Sequence, residues 1–320
     1  MMVDQKPIVC LGILVADVIG KPVHSVPGPG SLALVDEMSL HCGGCAANAA
    51  TALANLGLPV DVIGKVGSDP FGDFVISVLQ ERGIGTRGVT RDASNGTSAS
   101  MVIVDPDGER RFIHYIGANA AFTIEDVDFD LVSSASILHI GGSLVMPGID
   151  GEPTAELLKR AREAGVTTFL DTVWDDTGRW MALLEPSLPY IDFFIPSLPE
   201  AQEITGIDDP EKVARELVDH GVATVALKMG PDGCLVMSDD YESLRLPAYD
   251  VEVVDATGAG DAFAAGFITG VWQDWSLEKT ARFASAVGAM CVTGVGAAGC
   301  VSSLEETLHF MESGSLKTNL

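Results

Sequence analysis

Residues 255–272 read DATGAGDAFAAGFITGVW. Three small residues, Gly258, Ala259 and Gly260, lead to Asp261, and small or apolar residues then recur at helical spacing, so the stretch predicts a loop running into a buried helix. The first amides of a helix have no partner inside it, and the positive end of its dipole points the same way; the loop is a candidate anion hole. Asp261, at the helix start beside that hole, is placed to accept the proton of a hydroxyl attacking a phosphate held there. Taken alone, the stretch is equally a glycine-rich turn with a capping aspartate.

Upstream of it, short apolar runs at 8–15, 60–66, 137–140, 167–170, 193–195 and 224–228 alternate with helical patterns at 72–82, 153–164 and 210–220. Such alternation predicts an α/β fold of three α/β/α layers with a mostly parallel central sheet. The pattern breaks at 20–40 and again at 97–116, where TSASMVIVDPDGERRFIHYI places two β-rich runs around Asp105-Pro106-Asp107-Gly108, a hairpin signal. A hairpin has no place in a parallel sheet. The segments at about 18–40 and 97–117 are therefore expected to form a small β-sheet lid inserted in a single domain over 1–320, with an apolar face including Val102, Val104, Phe112 and Tyr115.

The chain of 320 residues is 47% hydrophobic and 20% charged, enough apolar material for a large core. Its net charge of −26 argues against nucleic acid and against anionic membrane surfaces as partners. The N-terminal apolar run reads as a buried strand rather than a signal peptide, and no apolar span reaches membrane length, so a cytoplasmic protein is expected. Cys42 and Cys45 form one CxxC with no second pair, which does not make a zinc site. Gly294-Val295-Gly296-Ala297-Ala298-Gly299 is a formal dinucleotide fingerprint, but the sequence stops at Leu320, short of the βαβ unit that fingerprint must open. Gly64-Lys65 precedes Val66 rather than Ser or Thr, so no Walker A motif is present.

A second stretch, Gly43-Gly44-Cys45-Ala46-Ala47-Asn48-Ala49-Ala50, followed by Gly57 and Gly67, also enters a helix from two glycines. The glycines allow a ligand to touch backbone, and the Asn48 amide can donate to and accept from hydroxyls. Two such stretches about 210 residues apart resemble the paired signatures of the ribokinase-like (PfkB) carbohydrate kinases. Weaker features extend the resemblance along most of the chain: Gly67-Ser68-Asp69 with Phe71-Gly72, Gly117-Ala118-Asn119, and Lys228-Met229-Gly230 with Gly233. One departure is Ala256, where many members have Thr or Ser.

The resemblance implies an ATP-dependent kinase that moves the γ-phosphoryl group of MgATP to a hydroxyl of a sugar-like acceptor. It makes Asp261 the catalytic base, with Gly258, Ala259 and Gly260 as the anion hole, and gives Asp17, Gly43, Gly44 and Asn48 to the acceptor. Asp17 is expected to end the first strand. Lys228, Gly230 and Gly233 fall in the nucleotide site with Ser197 and Glu200; Glu200 would influence Mg²⁺, and Ser197 replaces the family's Asn. Asp255 and Thr257 would bind a monovalent cation, K⁺, which is expected to raise activity by fixing the anion-hole loop. The glycines at 294–299 would form a loop near the nucleotide and cation. Cys45 stands where ribokinases carry Lys, and the strand end at 138–142 offers only His139 and glycines, both of which argue against ribose. Arg110 and Arg111 either meet a phosphorylated sugar or stand in solvent, the commoner fate of paired basic residues on a hairpin. A homodimer through the lid is expected. A nucleoside (adenosine-type) kinase, or a non-catalytic sugar- and nucleotide-binding regulator on the same fold, are the alternatives.

Overall fold

The computed structural model describes residues 6–239, 241–294 and 301–317. Its first apolar run divides in two. β1 (Ile8–Gly12) ends at Gly12, whose φ is +149° and whose Cβ, were there one, would stand 1.9 Å from the Gly141 carbonyl oxygen of the neighbouring strand. Only glycine fits so close to a backbone oxygen. The chain then turns through Ile13 and Leu14 into β2 (Val15–Lys21), which belongs to a different sheet. Asp17 thus lies within β2 and does not end the first strand, because Gly12 breaks the run that had looked continuous.

The other strands are β3 (Glu37–Gly43), β4 (Val60–Gly67), β5 (Gly85–Asp92), β6 (Ala99–Val104), β7 (Arg110–Tyr115), β8 (Ile137–Ser143), β9 (Thr167–Thr172), β10 (Phe193–Phe194), β11 (Thr224–Lys228), β12 (Cys234–Ser238) and β13 (Tyr241–Leu246). Nine of them make the large sheet in the order β13-β12-β11-β10-β9-β8-β1-β4-β5, antiparallel only along β11-β12-β13. Side chains alternate across it. Ile8 and Cys10 face α1 (Cys45–Asn55), α2 (Pro70–Glu81), α8 (Ala259–Trp272), α9 (Leu277–Cys291) and α10 (Leu304–Ser313). Val9 and Leu11 face α3 (Phe129–Ser134), α4 (Glu152–Glu163), α5 (Trp180–Leu184), α6 (Leu198–Thr205) and α7 (Pro210–Asp219). The three layers expected from the alternation are present. None of the described helices is long and apolar enough to cross a membrane.

The small sheet has the order β3-β2-β6-β7, with β6 and β7 an antiparallel hairpin and β2 parallel to β6. Its register puts Asp17, Ser100 and His114 in one row and Ile19, Val102 and Phe112 in the next, with Arg110 on the same face. Met38, Leu40, Met101, Ile113 and Tyr115 share the opposite face and are exposed. The apolar face expected from the hairpin is corrected accordingly: Tyr115 does not lie with Val102, Val104 and Phe112, because neighbours along a strand point to opposite sides.

Candidate active site

Gly258 is the N-cap of α8 and adopts a left-handed conformation, φ +74°; two residues on, a Cβ at Gly260 would stand 3.2 Å from Nζ of Lys228, the last residue of β11. Of the three small residues there, Ala259 has its N–H committed within the turn, to the Ala256 carbonyl at 3.2 Å. Asp261 is not the cap. Its buried carboxylate accepts a 2.8 Å hydrogen bond from Asn48 Nδ2, joining the two glycine-led stretches across 213 residues. Burial raises the Asp261 carboxyl above the ordinary aspartate value, while Asn48, Lys228 and the Cys45 thiol pull the other way. The result is a carboxylate more basic than one in water, held in place by an amide. Gly44 caps α1, and the packing of α1 on α8 sets this geometry.

Next to Asp261 lies a second charged group. Lys228 ends β11 and meets both oxygens of Asp171, at 2.7 and 2.6 Å, from the end of β9 two strands away. Burial pushes Asp171 up to about 7, with Glu200 and Asp261 adding to the shift and Lys228 opposing it. For Lys228 burial acts downward, but the three carboxylates outweigh it and its ammonium is held above the usual lysine range. Three carboxylates surround one ammonium here, but among the described residues no group of three or more acidic, histidine or cysteine side chains is arranged to hold a metal ion. Ser197 is the N-cap of α6. Its amide donates to Glu200 Oε2 at 2.9 Å in a capping box, and Thr172 Oγ1 donates to the same oxygen at 3.2 Å. Ser197 thus orients Glu200 through the helix cap.

Beyond Lys228 opens a cleft of about 400 Å³ lined by Gly230, Gly233, Tyr249, Val253, Ala256, Gly260 and Phe263 among others. It is mostly apolar, with one end at Lys228 and the first turn of α8: a flat ring and a phosphate tail would suit its two ends. Asp17 lies on the face of the small sheet that also carries Arg110. Its carboxylate accepts from Ser100, whose Oγ is 3.1 Å from His114 Nδ1, and burial raises its pKa while Ser100, His114, His41 and Arg110 lower it. The Asp17 carboxylate points Oδ2 at Gly43, where a Cβ would be 2.1 Å from that oxygen.

Arg110 is where expectation and structure part. The paired hairpin basic residues were expected in solvent or against a phosphorylated sugar; Arg111 pairs with Asp105 at the hairpin turn, but Arg110 reaches the α8 loop. Its guanidinium pairs with the buried Asp255 carboxylate and donates to Thr257 Oγ1, and the Thr257 amide closes on Asp255 Oδ1 at 2.8 Å. A K⁺ ion on Asp255 and Thr257 does not fit beside that guanidinium, since like charges repel strongly where water is scarce. Of the glycines at 294–299, all but Gly294 lie outside the described residues.

Several residues escaped the sequence. Asp171 directly follows the apolar run 167–170, and an acidic residue at the carboxyl end of a parallel strand was a usable signal. His41, Ser100 and His114 carried none, because what unites them with Asp17 is cross-strand register.

The pfkB family carbohydrate kinase model matches residues 5–304. Fructokinase-1 of Oryza sativa subsp. japonica is 30% identical over 286 residues, 85% of this chain and 88% of its own. The 2-dehydro-3-deoxygluconokinase of Bacillus subtilis is 27% identical over 295 residues, 89% and 90% of the two chains. Arabidopsis thaliana ribokinase, solved with ribose and ATP, superposes with a TM-score of 0.84 at 26% identity, over 96% of this chain and 99% of its own. With that match and the site beneath it, the chain belongs to the pfkB family of carbohydrate kinases and is an ATP-dependent sugar kinase.

Proposed function

We propose that Asp261 is the catalytic base of this kinase and that the acceptor lies between it and Asp17, under the small sheet. The observation that carries this is the buried Asp261 carboxylate, raised in pKa and held by Asn48 at the mouth of α8. An acceptor hydroxyl between Asp17 and Asp261 loses its proton to Asp261 as its oxygen bonds to the γ-phosphorus; the bridging P–O bond breaks and its electrons leave with ADP. Gly258 and Gly260 allow the transferring group close to the helix amides, and Lys228 faces its charge. Glu200 would influence Mg²⁺ indirectly, and the ion would neutralise phosphate charge. Gly230 and Gly233 would border the adenine end of the cleft.

The acceptor we favour is a keto-sugar or sugar acid rather than ribose, since Cys45 hydrogen-bonds to Asp261 where a lysine would otherwise stand and the fructokinase and deoxygluconokinase relatives are similar over most of the chain. A screen of ADP release over pentoses, hexoses, sugar acids, sugar phosphates and nucleosides tests this. Turnover best with fructose or a 3-deoxy sugar acid is the expected result, and nucleosides as the best substrates would overturn it. Gly43→Ala would push the Asp17 carboxylate aside; the acceptor KM is expected to rise at least about tenfold with the MgATP dissociation constant within about twofold, because only one side of the site is disturbed.

The exposed outer face of the small sheet, with Met38, Leu40, Met101, Ile113 and Tyr115, supports a homodimer in which a second copy covers it. Light scattering at micromolar concentration should give twice the chain mass, and a monomer would remove this part. The compartment we propose is the cytoplasm, where ATP and reduced thiols coexist.

A further inference from the structure

In the family resemblance, the residues at Asp255 and Thr257 belong to a monovalent cation that fixes the anion-hole loop. Here both are taken by a side chain. Arg110 sits at the start of β7, on the inner face of the small sheet, and its guanidinium pairs with Asp255 and donates to Thr257 Oγ1. Asp255 is almost fully buried, its side chain 2% exposed, so its charge needs a positive partner close by. The Thr257 amide completes the arrangement by donating to the other Asp255 oxygen. Gly258, which caps α8, is the next residue along.

We propose that Arg110 is a positioning residue that supplies, from the lid, the fixed positive charge that a monovalent cation would otherwise supply at Asp255. The guanidinium is planar, always charged, and matches a carboxylate and a hydroxyl with separate N–H groups, so it can order the loop with more directional control than a spherical ion. Two consequences distinguish it from an ordinary surface pair. The enzyme does not need K⁺, because the site is filled by its own chain. The anion hole is also tied to the small sheet, so the loop that faces phosphate is held in its working direction by the sheet that covers the acceptor. The kinase reading underlies the catalytic half of this proposal; the binding half stands on Asp255 alone.

The test compares wild type, Arg110→Ala and Arg110→Lys in the chlorides of K⁺, Na⁺ and tetramethylammonium at one ionic strength. The thermal midpoint is read without acceptor, so its outcome is separate from whether the right sugar has been found; kcat on an accepted sugar is the second readout. For wild type the midpoint should be the same in all three salts to about 1 °C and kcat to about twofold. Arg110→Ala should lose about 10²-fold in kcat in tetramethylammonium, regain at least about tenfold in K⁺ or with millimolar guanidinium, and gain about 3 °C in midpoint from K⁺. Arg110→Lys, which keeps a charge on a shorter reach, should respond to K⁺ less than Arg110→Ala. A wild type activated severalfold by K⁺, or an Arg110→Ala protein indifferent to K⁺ and guanidinium in both readouts, would overturn the proposal. Should Arg110→Ala fail to fold, the wild-type salt series and Arg110→Lys still decide it.

Discussion

Asp261→Asn is expected to lower kcat by at least about a hundredfold while the MgATP dissociation constant stays within a few-fold. General-base contributions are typically about 10²–10⁴-fold, or roughly 3–5 kcal/mol. Because the transition state of phosphoryl transfer can be loose, with the proton leaving late, part of the loss would come from a misplaced hydroxyl rather than from missing basicity. The substitution is conservative where it needs to be: the Asn48 amide, 2.8 Å from Asp261 Oδ2, can still donate to the new amide oxygen, and the helix amides are untouched. Retention of more than about a tenth of wild-type kcat on the true acceptor would remove Asp261 from the role of base.

Lys228→Met should be the most damaging change to both fold and nucleotide binding. It leaves Asp171 buried beside Glu200 and Asp261 with no ammonium between them, and breaking a buried pair from one side costs about 3–5 kcal/mol. The cost must depend on pH. Asp171 is already raised to about 7, so its folded form holds a proton more tightly than its unfolded form; that contribution is fully present below about pH 4 and is lost as pH rises through about 7. Without Lys228, which opposes the rise, the folded value climbs further. The variant then keeps a proton that wild type has shed, so its deficit widens above pH 7 and narrows toward pH 6, where neutral Asp171 needs no partner. Urea denaturation at pH 6 and pH 9 reads this directly, and a deficit equal at both would contradict it. Lys228→Met with Asp171→Asn should recover most of the alkaline loss, because no unpaired charge remains at Asp171.

What could be read from the chain beforehand follows a physical division. Local signals carried the layers, the hairpin around Asp105–Gly108, and the two helix starts at Gly44 and Gly258, because periodicity, turn chemistry and small residues are written within a few positions. The place of Asp261 in the first turn of α8 was legible for the same reason. The pairs that tune the site were not: Lys228 and Asp171 are 57 residues apart and meet only because β10 intervenes between their strands, and Arg110 reaches Thr257 across 147 residues. Asp17 was recognised but placed on the wrong sheet, since the break at Gly12 depends on how closely Gly141 approaches from another strand. The part of Ser197 visible in the structure is the capping box that aims Glu200, a local pattern of Ser followed three residues later by Glu.

The central claim is that the γ-phosphoryl group passes from MgATP to a hydroxyl of a sugar, with Asp261 taking the proton. Phosphorus NMR of the wild-type protein with MgATP and the best acceptor of the screen tests it most directly, with Asp261→Asn run alongside. The account predicts a phosphomonoester resonance that grows one for one with ADP, and almost none in Asp261→Asn over the same time. ADP formed together with inorganic phosphate alone, or a phosphomonoester formed equally fast by Asp261→Asn, would contradict it.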